Sequence, residues 1–218
     1  MEWKPRVESI YEELFSNYPT LKNCKEDILL SFQLIRDCYN QKGKLLVCGN
    51  GGSAADSEHI VGELLKGFLQ QRRINERFLN KLVNLFPNDG LELGKKIQEA
   101  LPAISLTGQS AFSTAFSNDV SPVTVFAQQV YAFGLEQDIL FAISTTGNSQ
   151  NVLNAIKISR VIGMKSIGLT GQEGGAMKKL CDVAICVPGT QTFRIQELHL
   201  PVYHAICAML EAEFFPNP

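Results

Sequence analysis

The chain has 218 residues, 45% of them hydrophobic and 19% charged, with 20 basic against 22 acidic side chains and a net charge of −2. These proportions suit a folded chain with a sizeable core and exclude a disordered one. The near-neutral charge offers no footprint for nucleic acid or an anionic membrane surface, and no run approaches the roughly 20 apolar residues that span a bilayer. The opening MEWKPRVESIYEELF lacks the apolar core of a signal peptide. Six cysteines, Cys24, Cys38, Cys48, Cys181, Cys186 and Cys207, fall mostly in apolar runs without a C-x-x-C pair. They read as buried free thiols of a cytoplasmic protein.

Residues 4–17 and 21–41 read as two helices, with the break at residues 17–20 around Pro19. In the second, Leu21, Ile28, Leu29, Phe32, Ile35 and Tyr39 recur at helical spacing, so this lead-in (1–42) must cover a sheet or a partner subunit. Gly43 is expected to end it. The apolar run 45–48 reads as a buried strand, stopped by Gly49-Asn50-Gly51-Gly52-Ser53 and followed by a helix. Glycine-rich backbone at such a junction brings N–H groups to an anion, where the helix dipole also favours negative charge. On that helix His59 and Glu63, four residues apart, share a face.

Residues 70–100 are charged at the start (Arg72, Arg73, Arg77) and broken by the turn Pro87-Asn88-Asp89-Gly90, which predicts a solvated helical insertion with a helix on each side. Residues 102–107 give a second strand, and 110–117 a short helix ending at Asn118-Asp119. Ser121-Pro122 opens the next helix as cap and first residue. Strands at 139–143, 165–169 and 183–187 follow, with helices ending at Ile162 and starting at Thr192. Short apolar strands alternating with helices predict an α/β, three-layer, doubly wound sandwich around a five-stranded parallel sheet. Ligands in such sheets bind at the carboxyl ends of the strands beside a switch in strand order, which places the loops after Cys48 and Ile143 together.

The second of those loops, Ser144-Thr145-Thr146-Gly147-Asn148-Ser149, offers hydroxyls and backbone N–H groups at a helix start, suited to a phosphate. Gly49-x-Gly51-x-x-Ala54 matches the dinucleotide fingerprint, but no strand ending in an acid follows some 20 residues on, so no nucleotide cofactor is expected. The last helix carries Gln196, Glu197, His199 and His204. Gln196 and His204 lie about 80° apart on the helical wheel and Glu197 is nearer the meridian of His204, so spacing alone does not choose between them. A carboxylate and an imidazole beside a phosphate suit aldose–ketose interconversion, which needs an acid and a base. Two His, a Glu and a Gln are also a donor set for Zn2+.

CGNGGSAAD–SEHIVGEL, ISTTGNSQNV, GLTGQEGG and RIQELHLPVYH, in that order, resemble the sugar isomerase (SIS) domain family, and within it the bacterial sedoheptulose-7-phosphate isomerases. The resemblance implies a single flavodoxin-like SIS domain over residues 1–218. It implies Glu63 and His204 as the catalytic pair, and a substrate site of Asn50, Gly51, Gly52, Ser53, Asn118, Asp119, Ser144, Thr145, Thr146, Ser149 and Gln196. In metal-bound members it implies zinc on His59, Glu63, Gln196 and His204. It further implies a homotetramer with the N-terminal helices in its core and active sites at subunit interfaces. Phe193 stands where some members have an aspartate, and the 70–100 stretch is longer than theirs. A competing reading is a non-catalytic SIS adaptor, of the kind that binds the bacterial replication initiator and has lost the residues matching Glu63 and His204. This chain keeps both.

Overall fold

The computed structural model describes residues 4–215. Strands β1 (Leu45–Cys48) and β3 (Ile139–Ile143) are buried along their whole length, as their unbroken apolar sequence requires. With β2 (Ala103–Ser105), β4 (Lys165–Thr170) and β5 (Val183–Cys186) they form an all-parallel sheet of order β2-β1-β3-β4-β5. The chain runs outward from β1 to β2 on one side and to β3 on the other. The predicted switch point is therefore between β1 and β3.

Because side chains alternate along a strand, the sheet feeds two cores. Leu45, Val47, Phe141 and Ile143 pack under α1 (Pro5–Asn17), α2 (Lys25–Asn40), α3 (Gly52–Leu65) and α10 (Thr192–Phe214). Leu46, Cys48, Leu140 and Ala142 pack under α6 (Ser110–Asp119), α7 (Val125–Phe133), α8 (Gln150–Ile162) and α9 (Met177–Leu180). The lead-in helices thus cover their own sheet: Val7, Tyr11, Ile28 and Ile35 join the same core as Ile195, Val202 and Met209. Helices α4 (Glu76–Leu85) and α5 (Gly90–Lys96) form the insertion, with no buried residue in α4 and with Phe78, Leu85 and Phe86 exposed.

Several local expectations need correction. The second lead-in helix starts as a 3-10 turn, Pro19–Cys24, before α2 proper. It ends through Lys42 rather than Gly43: Lys42 takes φ 62°, its N–H reaches the Tyr39 carbonyl at 3.0 Å, and the Gly43 N–H reaches that of Cys38 at 2.9 Å. This is a Schellman closure with a lysine in the left-handed position. Ser121 makes no side-chain cap, and Pro122–Thr124 is a separate 3-10 turn before α7. The second strand, expected over 102–107, is only three residues long, Ala103–Ser105, each paired with β1.

Candidate active site

Both polar loops sit at the carboxyl edge of the sheet, and α10 bridges them. Gly51 takes φ 56° at the start of α3, a backbone that favours glycine. The side chains of Asn50 and Asn151 exchange two 2.9 Å hydrogen bonds, tying the β1 loop to the first turn of α8. Gln196 packs on Gly52 so closely that a Cβ there would lie 2.3 Å from its Nε2. One residue earlier, Ile195 packs against Gly171, whose N–H donates to the Thr145 carbonyl. Ser53 is buried behind the loop, with its carbonyl accepting from Ser57.

The Ser144–Ser149 loop closes on itself. The hydroxyls of Ser144 and Ser149 lie 2.9 Å apart, and the Thr146 Oγ1 accepts from the Asn148 N–H. Gly147, at φ 66°, leaves no room for a Cβ, which would stand 2.1 Å from the Gly174 carbonyl oxygen. Asn148 Oδ1 accepts from the Ala176 N–H, holding the GQEGG turn against the loop. Ser149 makes no side-chain cap to its own helix, and of the first N–H groups of α8 that of Val152 donates to Asn151 Oδ1 at 3.0 Å, which leaves those of Gln150 and Asn151 to an anion. Beside the loop is a cavity of about 250 Å³ lined by Thr145, Thr146, Asn148, Gly171 and Thr190. A larger cavity, about 450 Å³, lies at the amino ends of β3 and β4 around Gln137 and Lys165, the wrong end of such a sheet for its ligand.

The titratable cluster is assembled from α3 and α10. His59 Nε2 lies 3.2 Å from Glu63 Oε1 and 3.4 Å from His204 Nε2. Glu63 is buried, and its other oxygen accepts from Lys66 at 2.9 Å. The Tyr203 hydroxyl donates to Asp56 Oδ1 (3.2 Å) and lies 3.0 Å from His59 Nδ1. Since that hydroxyl has one proton, its oxygen accepts from Nδ1–H, and the ring turns its Nε2 to the cluster. Burial raises the pKa of Asp56. Burial, helped by His59, lowers that of His204, so its imidazole is neutral at pH 7. Phe68 closes one side of His204 at a ring distance of 5.3 Å, and a groove of about 270 Å³ between α1 and α10 reaches it from Leu14 and Tyr18.

Gln196, not Glu197, faces the site: Glu197 is exposed and paired with Arg194 at 2.9 Å. Phe193 is also exposed, stacked under Arg194. Asn118 and Asp119 hydrogen-bond each other (2.8 Å) at the exposed end of α6, and among the described residues no hydrogen bond joins them to either loop or to the cluster. Asp56 and Tyr203 escaped the sequence reading. Their signal was a carboxylate three residues before His59 and a hydroxyl beside His204, each in a run otherwise apolar or small.

His59, Glu63, Gln196 and His204 have the donor chemistry of a zinc site: two imidazoles, a carboxylate and an amide oxygen. Two ligands about 2.1 Å from a tetrahedral ion stand ~3.4 Å apart, and the two Nε2 atoms have that spacing. Among the described residues no three His, Cys, Asp or Glu side chains are yet gathered as a metal-holding group. The donors fit in kind and are not closed in geometry.

A family model described as SIS domain matches residues 92–171, the stretch that carries β2, β3 and the hydroxyl loop. Phosphoheptose isomerases are then found along nearly the whole chain. One from Aliarcobacter butzleri is 41% identical over 94% of this chain and 97% of its own length, and one from Nitratiruptor is 37% identical over 95% and 100%. The solved phosphoheptose isomerase of Neisseria gonorrhoeae superposes with a TM-score of 0.72 at 32% identity, covering 95% of this chain and 97% of its own. The chain belongs to the phosphoheptose isomerase family and is an isomerase.

Proposed function

We propose that this chain interconverts a phosphorylated ketose and aldose through an enediol, with sedoheptulose 7-phosphate as the ketose. One observation carries the reading: His204 and Glu63 converge on His59 Nε2, at 3.4 and 3.2 Å, on the two helices whose earlier turns, at Gly52 and Gln196, meet beside the polar loops. The sugar phosphate docks on the Ser144, Thr145, Thr146 and Ser149 hydroxyls and the N-terminus of α8. Asn50, Gly51, Gly52, Ser53 and Gln196 line the adjoining sugar site, with Asn118 and Asp119 supplied from α6. Glu63 and His204 then act as the acid–base pair. One takes the proton from the carbon next to the carbonyl while the other delivers a proton to the carbonyl oxygen; the first then returns its proton to the former carbonyl carbon while the second takes the proton from the other enediol oxygen, which becomes the new carbonyl. His59 holds Glu63 in place. Zinc on His59, Glu63, Gln196 and His204 would polarise the carbonyl.

We read residues 1–218 as one SIS domain that works as a cytoplasmic homotetramer, with sites at subunit interfaces. All six cysteines are unpaired, which agrees with a reducing compartment. Among the described residues no helix is long and apolar enough to cross a membrane.

The test is turnover of a panel of ketose and aldose phosphates by the wild type, Glu63→Gln and His204→Ala, with and without chelator, alongside metal analysis and light scattering. General acid–base catalysis is worth about 10²–10⁴-fold, so kcat should fall by that factor in each variant with KM little changed. Near-wild-type turnover by both variants would sink the mechanism.

A further inference from the structure

Arg72 opens a charged stretch that reads as solvated, yet it is 2% exposed and leads the largest fully buried side chains. Its guanidinium spends every edge. Nε donates to Glu211 Oε1 at 2.8 Å, Nη1 to the Leu64 carbonyl at 2.7 Å and Nη2 to the Glu63 carbonyl at 3.0 Å. The ring of Phe215 covers it at 4.7 Å. Glu211, 1% exposed, is equally engaged, accepting also from the N–H groups of Phe68 (2.8 Å) and Leu69 (2.7 Å).

The two carbonyls belong to the last turn of α3, which has no further helical N–H to accept from. Arg72 therefore caps the very turn that bears Glu63, and a cation there also opposes the helix dipole. Glu211 lies seven residues after His204 on α10, which is two turns and about 20° of rotation, so both project from one face. Phe68, held through its N–H by Glu211, is the ring against His204. One ion pair thus fixes the α3 terminus, the Phe68 wall and α10 relative to one another. Stability alone is weak ground for such a pair, since a packed apolar pair in its place is often as stable or more so. What apolar packing does not supply is directed hydrogen bonds to the Glu63 and Leu64 carbonyls.

We propose that Arg72 and Glu211 are positioning residues for the acid–base pair: their clasp sets the distance between α3 and α10, and with it the approach of Glu63 to His204. This rests on the isomerase reading above. A displacement of about 1 Å at a reacting group can cost on the order of 10²-fold in rate.

The experiment compares wild type, Arg72→Lys and the double variant Arg72→Met/Glu211→Leu, which removes both buried charges at once and so avoids an orphaned ion. Thermal unfolding, kcat, KM and the ring signals of the three histidines are read on each folded protein. The expected result is a double variant that still folds, with KM within about 3-fold and kcat down on the order of 10²-fold. The signals of His59 and His204 should shift while that of His199 stays. Arg72→Lys, which keeps the charge without the fork, should fall between, and it carries the same readings if the double variant does not fold. Unchanged His59 and His204 signals, or kcat within about 3-fold of wild type, would overturn the clasp. The ring signals report geometry without turnover, so a wild type that isomerises no sugar phosphate refutes the reading of function and still leaves the clasp decided.

Discussion

The two halves of the site are built in opposite ways. The hydroxyl loop is made by one stretch of chain: Ser144 meets Ser149 five residues on, and its outside support, Asn148 to Ala176, spans 28 residues. The proton-transfer cluster joins positions 145 residues apart, His59 and His204, and nothing local fixes their distance. The first half depends on backbone geometry, above all the left-handed Gly147. The second depends on how α10 packs across α3. Damage to the loop should therefore weaken phosphate binding, whereas damage to the packing of α10 should reach the chemistry.

The largest expected effect falls on that packing. His199 is fully buried on α10, and neither ring nitrogen makes a hydrogen bond of ordinary geometry. Burial pushes its pKa down to about 4, moderated only by the Thr170 backbone. The unfolded chain binds this proton at about 6.5 and the native one only near 4, so between those values the unfolded state holds more protons and stability falls as pH drops. The loss amounts to roughly 3 kcal/mol by pH 4. His204, whose pKa is also lowered, adds to it in the same direction. Thermal melts across this range should show the decline, and His199→Leu should flatten it. A melt indifferent to pH in the wild type would mean that α10 is not held by a neutral core.

A smaller effect belongs to the loop. Removing one hydroxyl donor to a charged group costs about 1.5–3 kcal/mol, so Ser149→Ala should raise KM for a phosphorylated sugar by roughly 10- to 100-fold and leave kcat nearly intact. A fall in kcat instead would erase the division between the two halves. The smallest is a control outside both. Lys42 occupies a left-handed position that costs a side chain about 1 kcal/mol, so Lys42→Gly should stabilise the protein by about 0.5 kcal/mol after the entropy of glycine is counted. Kinetic constants should not move, and a denaturant midpoint reads the gain.

The same contrast explains what the sequence disclosed. Apolar runs bounded by polar loops mark β1 and β3 in the sequence, and the placement of ligands at the carboxyl ends of parallel strands brings the loops after Cys48 and Ile143 together from sequence alone. The assembled half was harder, because a helical wheel knows rotation but not which neighbour lies across from it. Spacing alone does not select Gln196 over Glu197. The structure pairs Glu197 with Arg194 in solvent and sets Gln196 on Gly52. From the sequence Arg72 reads as a surface charge, since its partner lies 139 residues away. The hint was on the other side: Glu211 interrupts the apolar run AICAML-E-AEFF, and a buried acid there needs a cation.

The most direct test of the α3–α10 cluster is solvent-proton exchange during turnover. Wild type, Glu63→Gln and His204→Ala would be run on sedoheptulose 7-phosphate in D2O, with deuterium at the carbon beside the carbonyl followed by NMR. An enediol formed by side chains that exchange with water predicts deuterium in the wild-type sugar and its loss, by two orders of magnitude or more in rate, from both variants. Product formed by the wild type without deuterium, or labelling by both variants at the wild-type rate, would contradict it.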